Sequence, residues 1–232
     1  GSENNAFGSV ALGNNTTGSK NNAFGKQALE DNTTGANNTA FGHDVLRENT
    51  TASNNTGVGY LALQNNTTGT QNTALGANAG NAQTTVDNCT WVGNDAGLVN
   101  TASNNTGVGA GSLRANTTGT RNTAVGCGIY GATHGPLGSN TTGTRNTALG
   151  VLTLRSNTTA SNNTAIGAEA LADNTTGTQN TAVGTYALDA VTTTDNNTAI
   201  GYNALTAHTG TQCVAVGSEA LDANTTGNNN TA

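Results

Sequence analysis

The sequence predicts a parallel β-solenoid, and three observations predict it. A Gly preceded by an apolar residue recurs at Gly8, Gly25, Gly42, Gly59, Gly76, Gly93, Gly109, Gly126, Gly150, Gly167, Gly184, Gly201 and Gly217. The step is 17 residues, with two steps of 16 and one of 24. Only 33% of the 232 residues are hydrophobic and 9% charged, while Gly (32) and Asn (38) are abundant. That is too little apolar mass for an ordinary globular core, yet a strict period with a net charge of only −6 is unlike disorder. A 17-residue unit is shorter than helix-pair or leucine-rich repeats, which leaves about thirteen coils of a parallel β-roll, one unit per coil.

Written with h for the apolar residue, the unit is N-T-A-h-G-x-x-A-L-x-x-N-T-T-G-T-x. Its first five residues read as a short strand. Alternation places Thr and h on one face and Asn, Ala and Gly on the other. The h column (Phe7, Phe24, Phe41, Val58 and onward to Val216) never carries a polar residue. The Ala column holds small residues, with Trp91 its single violation. A second apolar column, from Leu12 and Leu29 to Leu221, falls four residues after each Gly, with Gly80, Gly97 and Tyr130 as exceptions. Its setting, as in Ala168-Glu169-Ala170-Leu171, is rich in helix formers, so the unit carries either a second short strand or, the favoured expectation, one helical turn. Asn-Thr-Thr-Gly reads as turn chemistry, with Gly supplying a positive φ and stacked Asn side chains able to form amide ladders. Two large apolar side chains per unit are few against the entropy of ordering 17 residues. Association is therefore expected, with the Ala and Gly column as the face of close approach.

Gly1-Ser2 reads as a tag scar and residues 3–232 as one repeat domain, a fragment of a longer array. An insertion at about 127–139 lengthens one unit to 24 residues and holds the only Pro.

The unit resembles the head repeats of trimeric autotransporter adhesins, usually written N-S-V-A-I-G followed by a turn, and also repeats in the fibres of tailed bacteriophages. The resemblance spans Asn4 to Ala232. The period and the Ala-Leu column depart from the adhesin unit. It implies a left-handed parallel β-roll, a parallel homotrimer, and attachment to host surfaces.

Catalytic constellations are not read in the chain. His43, His134 and His208 occupy different phases of the repeat, and the glycines punctuate it without forming phosphate loops. Neither an enzyme nor a cofactor is predicted. No Cys or His lies within a few residues of another, so no metal site is predicted either. Cys89 and Cys213 replace the Asn that opens the strand and read as buried free thiols, too many coils apart to pair. The acidic balance points away from nucleic acid, and no apolar run reaches a membrane span. Frequent Asn-x-Thr triplets favour a bacterial or viral source, because sugars on every coil would crowd the faces.

Charge is segregated. No Asp or Glu occurs from Ala96 to Ala168, and four of the seven basic residues (Arg114, Arg121, Arg145, Arg155) fall within that stretch. Arg121 and Arg145 share a phase on successive coils. With Tyr130 and His134 on the inserted loop, these arginines form the candidate site for an anionic glycan. The functional reading is a structural and adhesive fibre segment, on a phage tail fibre or a bacterial surface, whose partners are its own copies and host-surface polysaccharide. The alternative is an ice-binding solenoid, since Thr-x-Thr recurs on the turn side, as in Thr68-Gly69-Thr70 and Thr176-Gly177-Thr178.

Overall fold

A computed structural model describes residues 1–128 and 135–232 and forms two compact units, Gly1–Val108 and Gly109–Ala232. The chain is a parallel β-solenoid in which each coil contributes one three-residue strand. The first unit holds β1 (Asn5–Phe7), β2 (Asn22–Phe24), β3 (Thr39–Phe41), β4 (Thr56–Val58), β5 (Thr73–Leu75), β6 (Thr90–Val92) and β7 (Thr106–Val108). The second holds β8 (Thr123–Val125), β9 (Thr147–Leu149), β10 (Thr164–Ile166), β11 (Thr181–Val183), β12 (Thr198–Ile200) and β13 (Val214–Val216). Neighbouring strands within each unit are parallel and in register, so that Ala23 faces Ala40 and Ala165 faces Ala182. Every sequence column is therefore a column in space.

The alternation along each strand is as expected, but the faces are the reverse of those assumed for association. The Ala column points inward, with Ala23, Ala40, Ala74 and Ala182 wholly buried, and is not a face for close approach by a partner. The h column points outward, with Phe7 75%, Leu75 48% and Val216 59% exposed. The coil interior is filled from the turn side, by Leu29, Leu46, Leu63, Leu171, Leu188 and Leu205, all at 0% exposure. The bore of a 17-residue coil then has room for only a methyl group opposite each Leu.

The exceptions obey that volume rule. Trp91 projects inward and is fully buried, and the Leu position is vacated to Gly80 and Gly97 beside it. A Cβ on Gly97 would lie 2.4 Å from the indole ring, and one on Gly80 would lie 2.7 Å from it. Val45, larger than the Ala usual at its position, sits under Gly57, where a Cβ would come within 2.5 Å of its methyl group. In the second unit Tyr130, an expected exception, lies outside the described residues. Leu137 takes the Leu position of that coil instead, fully buried, its N–H bonded to the Thr153 carbonyl at 3.1 Å. The Leu column thus continues from Leu113 through Leu137 to Leu154.

No helix forms among the described residues, which corrects the expected helical turn. The reason is the sign of φ. Gln27 (57°) and Leu29 (51°) are left-handed, as are Glu169 (56°) and Leu171 (52°), and each pair is separated by a residue of negative φ. A helix needs an unbroken run of negative φ. Three overlapping turns result instead, closed by Ala28 N–H to Gly25 O (3.4 Å), Glu30 N–H to Gln27 O (3.3 Å) and Asn32 N–H to Leu29 O (3.2 Å). The intervening N–H groups bond across coils, Gln27 to Ser9 O (2.9 Å) and Leu29 to Val45 O (3.0 Å). A left-handed Leu costs ~1–2 kcal/mol. Burial of its side chain and these ladder bonds offset that cost.

The glycine of Asn-Thr-Thr-Gly also acts differently from expectation. Gly35 is absent from the positive-φ residues, and its hydrogen side chain is needed for space, because a Cβ would lie 2.2 Å from the Ala52 carbonyl oxygen. The left-handed residue of this corner comes two positions later, at Asn37 (57°), Gln71 (59°) and Arg121 (57°). Two buried Asn columns satisfy the backbone. Asn32 Nδ2 donates to Asn15 Oδ1 (2.8 Å) and to Gly35 O (3.0 Å), the expected amide ladder. In the other column Asn21 Nδ2 donates to Gly35 O (2.8 Å) while its Oδ1 accepts the Asn38 N–H (3.0 Å).

Candidate functional site

The sequence-predicted arginines fall into two columns. Arg121 and Arg145 are exposed at the left-handed corner of neighbouring coils, and Arg145 N–H bonds to Thr120 O at 3.0 Å. This is the predicted stack. Both residues carry positive φ (57° and 55°), which fixes their Cα–Cβ directions alike. Arg114 and Arg155 follow Leu113 and Leu154 in the Leu turns, a different column, and both are half-buried. Tyr130 and His134 lie outside the described residues.

Arg155 does not stand in a field free of acid. Its Nη2 lies 3.0 Å from Asp173 and its Nη1 3.4 Å from Glu169, both from the following coil. The hydrogen bond to Asp173 outweighs burial and holds the guanidinium above its ordinary pKa. Nearby, burial pushes the Asp189 carboxyl above the usual carboxylate value, the charges of Asp173 and Glu169 add to that shift, and Arg155 opposes it. The charge segregation in sequence therefore closes, at the Arg155 end, into an ion-pair cluster.

Cys89 and Cys213 are buried and free, as the sequence indicated, and Cys127 is free and exposed. Loss of hydration drives the Cys89 thiol up to about 11, so it stays protonated and unreactive at neutral pH. Among the described residues no group of three His, Cys, Asp or Glu side chains converges as a metal site.

A feature the sequence reading did not single out lies in the first unit. Because the h column faces outward, Phe7, Phe24 and Phe41 are exposed on consecutive strands, and the Phe24 and Phe41 rings stack at 5.5 Å with 29° between their planes. Across the strand glycines run Lys26, His43 and Tyr60, the last two with ring centroids 5.7 Å apart. Between the columns opens a cleft of about 660 Å³ lined by Phe7, Phe24, Gly25, Lys26, Phe41, Gly42 and His43. Its floor is held open by Gly25, whose φ is 138° and where a Cβ would lie 2.2 Å from the Gly42 carbonyl oxygen. The sequence signal was present: all three Phe residues share one column, and Lys26, His43 and Tyr60 share another two residues on.

No family model, curated protein or solved structure matches the chain.

Proposed function

We propose that this chain is a structural and adhesive fibre segment rather than an enzyme, assembled as a parallel homotrimer and carried on a phage tail fibre or a bacterial surface to support attachment to host-surface glycans. The observation that carries the reading is the outward h column: within each unit every strand places an apolar side chain on the surface, in register with the next. Contiguous exposed apolar surface of this kind marks an interaction face. The seam is assigned to its aliphatic stretches, Val58 to Val108 in the first unit and Val125 to Val216 in the second. The likeness to adhesin head repeats agrees with the reading as a motif-level analogy. Light scattering should give about three times 22.9 kDa, and Ile166→Lys with Ile200→Lys should dissociate the assembly without loss of β-signal. A monomer at every concentration overturns the trimer.

The Arg121–Arg145 corner, together with Arg114, Arg155, Tyr130 and His134, is the proposed contact for an anionic glycan. Binding there should weaken with salt, because exposed charges are screened over ~10 Å at 0.1 M. Arg121→Glu with Arg145→Glu should abolish it. Unchanged binding by the double variant removes the site.

One observation favours the second reading, an ice-binding face. Thr17, Thr34, Thr51, Thr68 and Thr85 are exposed at one corner of successive coils in the first unit. Their partners in the Thr-x-Thr pattern are partly engaged, since Thr70 Oγ1 donates to Asp87 at 2.9 Å and Thr178 Oγ1 to Asp195 at 2.9 Å. Thermal hysteresis at micromolar protein would place this reading first; none at millimolar protein removes it.

A further inference from the structure

We propose that the first three coils carry a separate carbohydrate site, for a pyranose bearing a carboxylate or sulfate, in which Phe24 and Phe41 form the stacking platform and Lys26 the anion contact. This deepens the glycan-attachment reading and rests on it, but uses none of the arginines.

The argument begins from composition. Aromatic residues are 3% of the chain, yet all three Phe occur on consecutive coils of one outward column, beside His43 and Tyr60 in the next. Elsewhere in the h column the side chains are aliphatic and present no ring faces. Phe24 and Phe41 stack 5.5 Å apart with 29° between their planes, an offset pair whose solvent-exposed parts form one continuous apolar surface. The C–H-bearing face of a pyranose is flat, apolar and weakly positive, and so complements the negative face of an aromatic ring. The cleft of about 660 Å³ falls in the range of small-ligand sites, and its walls are almost wholly apolar, as a surface for the apolar face of a sugar requires. Gly25 and Gly42 keep its floor bare, so a sugar ring can rest against both columns at once.

Charge selects the anionic sugar. His43 faces Asp44 at 3.1 Å and Arg47 is bonded to Glu48, whereas the Lys26 ammonium has no carboxylate partner among the described residues. Lys26 is thus the cation at this cleft whose charge is open to a ligand. Tyr60, 54% exposed beside His43, supplies a hydroxyl at the margin for a sugar hydroxyl.

The test titrates the full chain with trigalacturonate, with a 6-sulfated N-acetylglucosamine disaccharide and with neutral maltotriose, followed by saturation-transfer NMR and calorimetry. At least one anionic probe should bind about ten-fold more tightly than maltotriose, with saturation concentrated on the ring C–H protons. Phe24→Ala with Phe41→Ala should abolish that binding, Lys26→Gln should weaken it about ten-fold, and Arg121→Glu with Arg145→Glu should leave it in place. Both Phe side chains face outward, so the variants should keep the parent circular dichroism. The proposal is overturned if neither anionic probe binds, if maltotriose binds as well as they do, or if the Phe variants bind unchanged. Light scattering on the same samples separates this site from the trimer. A fall in mass on Phe→Ala assigns the aromatic stretch to the seam and overturns the site, whereas a monomeric parent that still binds through Phe24 and Phe41 keeps the site and removes the trimer.

Discussion

In the coils of β2 and β3 the interior is filled from the turn, by Leu29 and Leu46, and the strand offers only Ala23 and Ala40. In the coils of β5 and β6 it is filled from the strand, by Trp91, and the turn offers only Gly80 and Gly97. The polar lining changes with it: Gln83 replaces the Asn of the ladder and its Oε1 accepts the Trp91 Nε1–H at 2.7 Å. The contrast shows what the repeat conserves. Interior volume per coil is fixed by the backbone bore, while the element that supplies it is free to change, provided that any polar atom brought inside finds a partner.

The sharpest way to break the comparison is Trp91→Ala, which empties two coils at once and should cost ~3–5 kcal/mol in urea unfolding. Gly97→Leu alone should also destabilise, because the new side chain meets the indole. Combined with Trp91→Ala, however, it should recover at least half of the loss, since Leu is tolerated at φ near 52° in Leu46, Leu63 and Leu171. A double variant no more stable than Trp91→Ala would mean that the two fillings are not interchangeable.

The Asn ladder offers a second contrast of smaller size. Asn49 Nδ2 donates to Asn32 Oδ1 at 2.8 Å and to Ala52 O at 3.0 Å, all within a buried column. At Val191 the same column is apolar, and Asn174 Oδ1 below it is buried without a partner. Asn49→Val should therefore cost ~1–3 kcal/mol by leaving Asn32 Oδ1 bare and removing the acceptor of Asn66 Nδ2, while Ala52 O keeps the Asn38 Nδ2 donor, and Val191→Asn should gain ~1 kcal/mol by supplying the missing donor. Equal and small effects at both positions would show that water, not the amide, satisfies the column.

These contrasts also mark what was legible beforehand. The period, the coil count, the h and Leu columns and the Arg121–Arg145 stack all follow from spacing alone, because in-register coils turn sequence phase into position. Spacing does not say which face is inside: Thr73-Ala74-Leu75 reads the same with Leu75 in the core or in solvent. The discriminating clue was the pairing of Trp91 with Gly80 and Gly97, one large residue gained where two were lost. Helix propensity misled for residues such as Leu29 and Leu171 because it measures preference for continuous negative φ, while here coil-to-coil ladder bonds impose alternating signs. The Phe7–Phe24–Phe41 column of rings is visible in the sequence, but only the outward direction of that column makes it a surface feature.

The smallest predicted effect compares two arginines at the same position of the coil. Arg47, in the first unit, is bonded to Glu48, its neighbour in sequence; Arg155, in the second, faces Glu169, Asp173 and the half-buried Asp189. Burial raises the Asp189 pKa above its ordinary 3.8, with Asp173 and Glu169 adding and Arg155 opposing. The folded chain therefore holds this proton more tightly than the unfolded chain does. The stability it contributes is full below the ordinary value and is lost as pH rises through the raised one. Asp189→Asn removes that dependence. At neutral pH the variant should be more stable than the parent by under ~1 kcal/mol, kept small by solvent screening, and the difference should vanish by about pH 3. Arg155→Gln should act in the opposite sense, because it removes the cation that holds the Asp189 shift in check: stability at neutral pH should fall, and the pH window over which it is lost should widen upward. Urea midpoints across pH 3 to 8 for the two variants decide it, and curves parallel to the parent's at every pH would mean that Asp189 does not titrate with folding.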